Sequence, residues 1–143
     1  MRCAIDAPTF LRLVDDDVRV HDDHRLVSSS ALRSGALELL LVQVAAGERD
    51  EASATAAHDA MTATKVRTLG DRVSRRTAWA IARERGWTSL RHAELLAVCR
   101  LQADVLVTVD PELARLADGI VDVVGLDRLT RPDRDGSERR PPG

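Results

Sequence analysis

The stretch VLVTVDPELARLA, residues 105–117, decides the reading of this chain. Five uncharged residues rich in Val, Leu and Thr run without a polar break until Asp110, the pattern of a strand buried on both faces. Asp110 and Pro111 then open a helix, because a carboxylate caps free N–H groups and proline tolerates the first turn. The chain begins with a shorter version of the same sentence. Residues 3–5 are apolar, Asp6 ends the run, and Pro8 leads into the helical spacing of Phe10, Leu11, Leu13 and Val14.

Between these two units the periodicity changes repeatedly. An acidic stretch at residues 15–17 and 22–23 reads as a solvated loop, and Leu26 and Val27 reopen an apolar run. A helix is predicted over residues 31–46, apolar enough to be well buried and stopped at Gly47, then a more polar one over 50–62. Residues 66–69 suggest a short strand. Asp71 caps a helix running to residue 85, with Val73, Trp79, Ile81 and Ala82 inside, and Gly86 ends it. A helix over 89–101 precedes the strand at 105–109, and a last strand is expected at 120–124. Strands alternating with helices imply a three-layer α/β domain over residues 1–129, with a parallel sheet of four or five strands covered on both faces. Residues 130–143, polar and rich in Pro, Gly and charge, read as a disordered tail.

Composition narrows the function. The 143 residues are 44% apolar and 31% charged, a single domain's worth of chain with an ordinary core. The net charge of -2 provides no global field for nucleic acid or an anionic membrane, so such a partner would meet a local patch. No apolar run approaches the length of a membrane span, and the opening residues lack the pattern of a secretory signal, which together suggest a cytoplasmic protein. Cys3 and Cys99 lie among apolar neighbours and read as reduced, buried thiols. With aromatics at only 2%, base-stacking platforms drop out. No glycine-rich phosphate loop follows any strand.

Ligands of parallel sheets bind beyond the carboxyl ends of the strands, where Asp6 and Asp110 both fall. Two carboxylates facing one crevice stay ionised together when a cation lies between them, and oxygen ligands suit Mg²⁺ or Mn²⁺. An ion so held activates water for attack on a phosphodiester. Helix capping explains the same two residues without any ligand, and both readings stand at this level. Arg72, Arg75 and Arg76, in a run that also holds Lys65 and Arg67, share helical spacing and form either a phosphate-contacting face or a solvated one.

The segment HAELLAVCRLQADVLVTVDPELARLA, with AWAIARERGW before it and AIDAPTFLRLV at the start, resembles the PIN domain, in particular VapC-type toxin ribonucleases of bacterial toxin–antitoxin pairs. The similarity spans most of residues 2–129. It implies a PIN-like fold, a four-acid site binding Mg²⁺ or Mn²⁺, RNA cleavage, a homodimer, and a cognate antitoxin. Asp6 matches the first acid of that pattern, Asp110 the last, and Thr108 the hydroxyl residue two positions before it. The middle acids depart from the pattern. Gly35 stands where a glutamate is usual, with Glu38 one helical turn on, and His92 replaces an aspartate, with Glu94 two residues later. Imidazole is a poor Mg²⁺ ligand but serves Mn²⁺, so the metal preference should shift. The resemblance thus supports a metal-dependent endoribonuclease. The alternative is a catalytically inactive PIN-like module that binds RNA or an antitoxin.

Overall fold

The computed structural model describes residues 1–133, and strand β1 (Arg2–Ile5) lies at the centre of the molecule. Helix α1 (Ala7–Asp15) follows it, then β2 (Arg25–Ser29), α2 (Leu32–Ala45), α3 (Glu51–Ala63), β3 (Arg67–Leu69), α4 (Arg72–Arg85), α5 (Arg91–Gln102), β4 (Val105–Val107), α6 (Pro111–Leu116) and β5 (Val123–Val124). A 3₁₀ turn, Leu126–Thr130, follows the last strand. All five strands are parallel, in the order β3-β2-β1-β4-β5. The α/β class, the parallel sheet and its three layers are therefore as the alternation of the sequence predicts, with five strands rather than four.

Alternation along the strands divides the core. Cys3, Ile5, Leu26, Val105 and Val107 pack with α1, α2 and α3 through Phe10, Leu13, Leu32, Leu40 and Met61. Ala4, Val27 and Leu106, the intervening residues, pack with α4, α5 and α6 through Ile81, Leu96, Val98 and Leu113. A period of two residues thus sends neighbours to opposite layers. Cys3 and Cys99 are buried, unpaired thiols, and burial pushes them up to about 11 and about 12 respectively.

Four details differ from expectation. Helix α2 buries Leu32, Ala36 and Leu40 but leaves Leu37, Leu41 and Val42 exposed, since a helix apolar all round needs partners on every side and α2 packs through one stripe against the core it shares with the sheet, α1 and α3. On α4 the buried positions are Ser74, Ala78, Ile81 and Ala82, a single stripe, so Val73 and Trp79 fall on the solvent side rather than inside. The predicted tail begins too early. His24, itself buried, donates from Nε2 to the Arg131 carbonyl at 2.6 Å, and the Met1 ammonium lies 3.2 Å from the Asp133 carboxylate. Residues 130–133 are thereby held on the body of the domain, while 134–143 lie outside the described residues. The predicted strand at 120–124 is reduced to Val123–Val124. Gly86 does end α4, in the left-handed conformation at φ 72° that glycine adopts without a Cβ penalty.

Candidate functional site

The chain runs from β1 to β2 to β3 on one side of the sheet, then returns to place β4 on the other side of β1. The order reverses between β1 and β4, and a crevice outside their carboxyl ends is where such sheets bind ligands. Register puts Ile5 beside Val107, so the next residues, Asp6 and Thr108, meet across the crevice.

Asp6 is only 8% exposed. Its Oδ1 accepts a hydrogen bond from the Thr9 hydroxyl, and its Oδ2 accepts one from the Thr108 hydroxyl at 3.0 Å. Each threonine oxygen in turn accepts a backbone N–H at 3.0 Å, Thr9 from Val109 and Thr108 from Asp110. Ser28, at the end of β2, donates to the Ile5 carbonyl at 2.6 Å. The first turns after β1 and β4 are thus stitched together through one carboxylate. No basic side chain among the described residues forms an ion pair with Asp6. Burial lifts its carboxyl above the ordinary carboxylate range, and the threonine hydroxyls oppose that rise without cancelling it.

Asp6 and Asp110 differ in a way the sequence does not reveal. Both occupy the N-cap of a helix, but Asp110 caps with its side chain, Oδ1 accepting from Glu112 N–H at 2.9 Å, whereas Asp6 makes no side-chain cap. Capping therefore accounts for Asp110, whereas the Asp6 carboxylate is held by the Thr9 and Thr108 hydroxyls.

The middle positions do not complete a cluster. Gly35 faces Ala7, the neighbour of Asp6, so closely that a Cβ at position 35 would lie 3.3 Å from the Ala7 Cβ. Glu38, one turn on, is exposed and reaches 3.9 Å from Arg91 at the start of α5. His92 and Glu94 are half-buried on the first turn of α5. Among the described residues, no group of three or more His, Cys, Asp or Glu side chains is arranged to hold a metal ion.

The structure also splits the basic run. Lys65 and Arg67 stand at the amino end of β3, while Arg72, Arg75 and Arg76 begin α4 beyond its carboxyl end, all exposed. Arg75 donates to the Gly70 carbonyl at 2.5 Å. Thr9 is the site residue the sequence reading missed. Its signal is the spacing, since a threonine three residues after Asp6 returns its hydroxyl to that carboxylate within one helical turn.

No model of a known protein family matches the chain, and no curated protein matches it either. Among solved structures it is similar to the crystal structure of PAE2754 from Pyrobaculum aerophilum, with a TM-score of 0.68 and 22% identity over 91% of this chain and 96% of that one. That likeness shows a shared fold across the whole domain. No helix among the described residues is long and apolar enough to cross a membrane.

Proposed function

We propose that the chain is a PIN-like endoribonuclease dependent on a divalent cation, centred on Asp6 and Asp110 at the β1–β4 switch point. The observation that carries this reading is Asp6: a buried carboxylate, lifted by burial, that takes hydrogen bonds only from neutral donors. An ionised acid in that position is costly unless a cation joins it. The donor set fits a hard cation in kind, since each carboxylate oxygen accepts more than one partner and Asp110 keeps Oδ2 outside its capping bond. Bound there, Mg²⁺ or Mn²⁺ would stabilise developing charge on a phosphodiester. Thr9 and Thr108 fix the Asp6 carboxylate, Asp110 adds a second charge, and Arg72, Arg75 and Arg76 supply a cationic face for the RNA backbone. The exposed Leu37, Leu41 and Val42 of α2 support a protein partner on that face, a cognate antitoxin or a second copy of the chain.

A specific observation favours a second reading. Gly35 has no room to be replaced freely by an acid, and Glu38 turns to Arg91, so two carboxylates stand where the resemblance implies four. A site with fewer charges holds a divalent ion less tightly, and the domain would then bind RNA or an antitoxin without cutting. Incubating the full chain with single-stranded RNA and Mn²⁺ or Mg²⁺ separates the two. Cleavage that disappears in Asp6→Asn and on chelation is the expected result. RNA retained intact by both the wild type and Asp6→Asn would establish the inactive module instead.

A further inference from the structure

At the opposite end of the sheet from Asp6, a cavity of about 700 Å³ opens among the amino ends of β1, β2 and β3. Arg2, Arg25, Lys65 and Arg67 line it with His21, and the acidic residue in its wall is Asp22. Two of these arginines are cross-strand partners, Arg2 registered on Arg25. Arg67 is registered on Val27, two residues beyond Arg25 and so on the same face. Parallel strands lie about 4.8 Å apart, and like charges placed directly opposite on one face destabilise a sheet.

Nothing among the described residues neutralises this group. Among the described residues, none of the four cations forms an ion pair with a carboxylate. The Arg25 guanidinium donates to the Asp22 and His24 carbonyls at 2.8 and 3.2 Å, and Arg2 reaches only the Gln102 carbonyl at 3.5 Å. Asp104 accepts from the Arg2 backbone N–H at 2.8 Å and forms no ion pair with its guanidinium. Each guanidinium carries five donors, so most remain unspent.

We propose that this cavity is a binding site for a compact polyanion carrying several phosphate groups, either inorganic polyphosphate or the phosphate chain of a nucleotide. Its volume lies within the roughly 300–1,000 Å³ usual for small-molecule sites. Guanidinium forks match phosphate oxygens bidentately, and four cations against one carboxylate favour a ligand of multiple negative charges over a single phosphate. The wall holds no Phe, Tyr or Trp, and its rings are the imidazoles of His21 and His24, so the cationic side chains make the phosphates the main point of recognition. This site stands apart from Asp6 and does not depend on the nuclease reading.

Calorimetric titration of the full chain at low salt tests the proposal, with inorganic tripolyphosphate, orthophosphate, a nucleoside triphosphate and a short oligoribonucleotide as probes. Tripolyphosphate should bind well below about 1 mM and much more tightly than orthophosphate. Lys65→Ala with Arg67→Ala should weaken it by about tenfold or more, the loss of one or two charge-assisted hydrogen bonds. Both residues are exposed, and an unchanged urea midpoint in phosphate-free buffer verifies that the variant is folded; Arg67→Gln alone serves if it is not. A nucleoside triphosphate binding more tightly than tripolyphosphate identifies a nucleotide, and equal binding identifies the free polyanion. Absence of tripolyphosphate binding, binding undiminished in the variants, or binding of the oligoribonucleotide alone would each overturn the proposal.

Discussion

The two ends of this sheet solve opposite electrostatic problems. At the carboxyl end, a single buried carboxylate is enclosed by hydroxyl donors, each of which also accepts a backbone N–H, so geometry is fixed by a closed chain of bonds. At the amino end, four cations share a wide cavity with mostly carbonyl partners, and their charge is left over. One end is ordered around a charge that the fold surrounds but does not neutralise, and the other gathers charge without a tight network. In this domain the switch point concentrates precision, while the strand starts carry a field.

The sharpest test of the closed network is to loosen what lies behind it. Leu106 is fully buried in β4, two residues before Thr108. Leu106→Ala should cost about 2–5 kcal/mol by urea denaturation, the usual range for a buried leucine. A smaller loss would mean that the layer under the site can collapse and is less rigid than its hydrogen bonds suggest. Thr108→Val is next. It keeps the side-chain shape but removes the donor to Asp6 and the acceptor of Asp110 N–H, so about 1–3 kcal/mol should be lost. A near-neutral result would break the claim that the two strand ends are joined through that hydroxyl.

Asp6→Asn reads the charge itself. A carboxyl whose folded pKa is raised binds its proton more tightly in the folded state, so its contribution to stability is fully present below the unfolded pKa of about 4 and is lost as pH rises through the folded value. Wild type should therefore be less stable than Asp6→Asn at neutral pH, with the gap closing as the pH is lowered toward 4, measured by denaturation at a series of pH values. Millimolar Mn²⁺ should stabilise wild type and not the variant. A wild type more stable than Asp6→Asn at pH 7 without metal would show that the threonines more than offset burial.

Much of this architecture is legible in the sequence, and the parts that are not share a cause. Strand β4 and the α6 start are local patterns, and so is the β1 unit, because alternation, Asp and Pro act on their own neighbours. Trp79 and the apolar residues of α2 mislead because hydrophobicity alone does not say which side of a helix has a partner; the stripe Ser74, Ala78, Ile81, Ala82 is the better guide on α4. At the site, Asp6 and Asp110 look alike as acids before a proline-bearing first turn, and only tertiary contact separates the buried one from the capping one. Glu38 has helical phase relative to Gly35, but Arg91 lies far along the chain and the sequence gives no sign that it approaches. The basic run of residues 65–76 reads as one patch because it is continuous, yet β3 separates its halves to the two ends of the sheet.

The amino end yields the smallest effect and the most discriminating sign. Replacing Arg2 with Gln removes one member of a registered like-charge pair while keeping a polar side chain at that position. In anion-free buffer of low ionic strength, Arg2→Gln should raise stability by a few tenths of a kcal/mol, about the size of a cross-strand charge term. Sodium chloride at about 1 M should erase the gain, because the screening length there falls to about 3 Å, shorter than the distance between adjacent strands. Tripolyphosphate should reverse it, since only the intact cluster is stabilised by the ligand. A loss in every buffer would mean that Arg2 serves through its stem packed on the sheet, and the contrast between the two ends would then be one of packing rather than of charge.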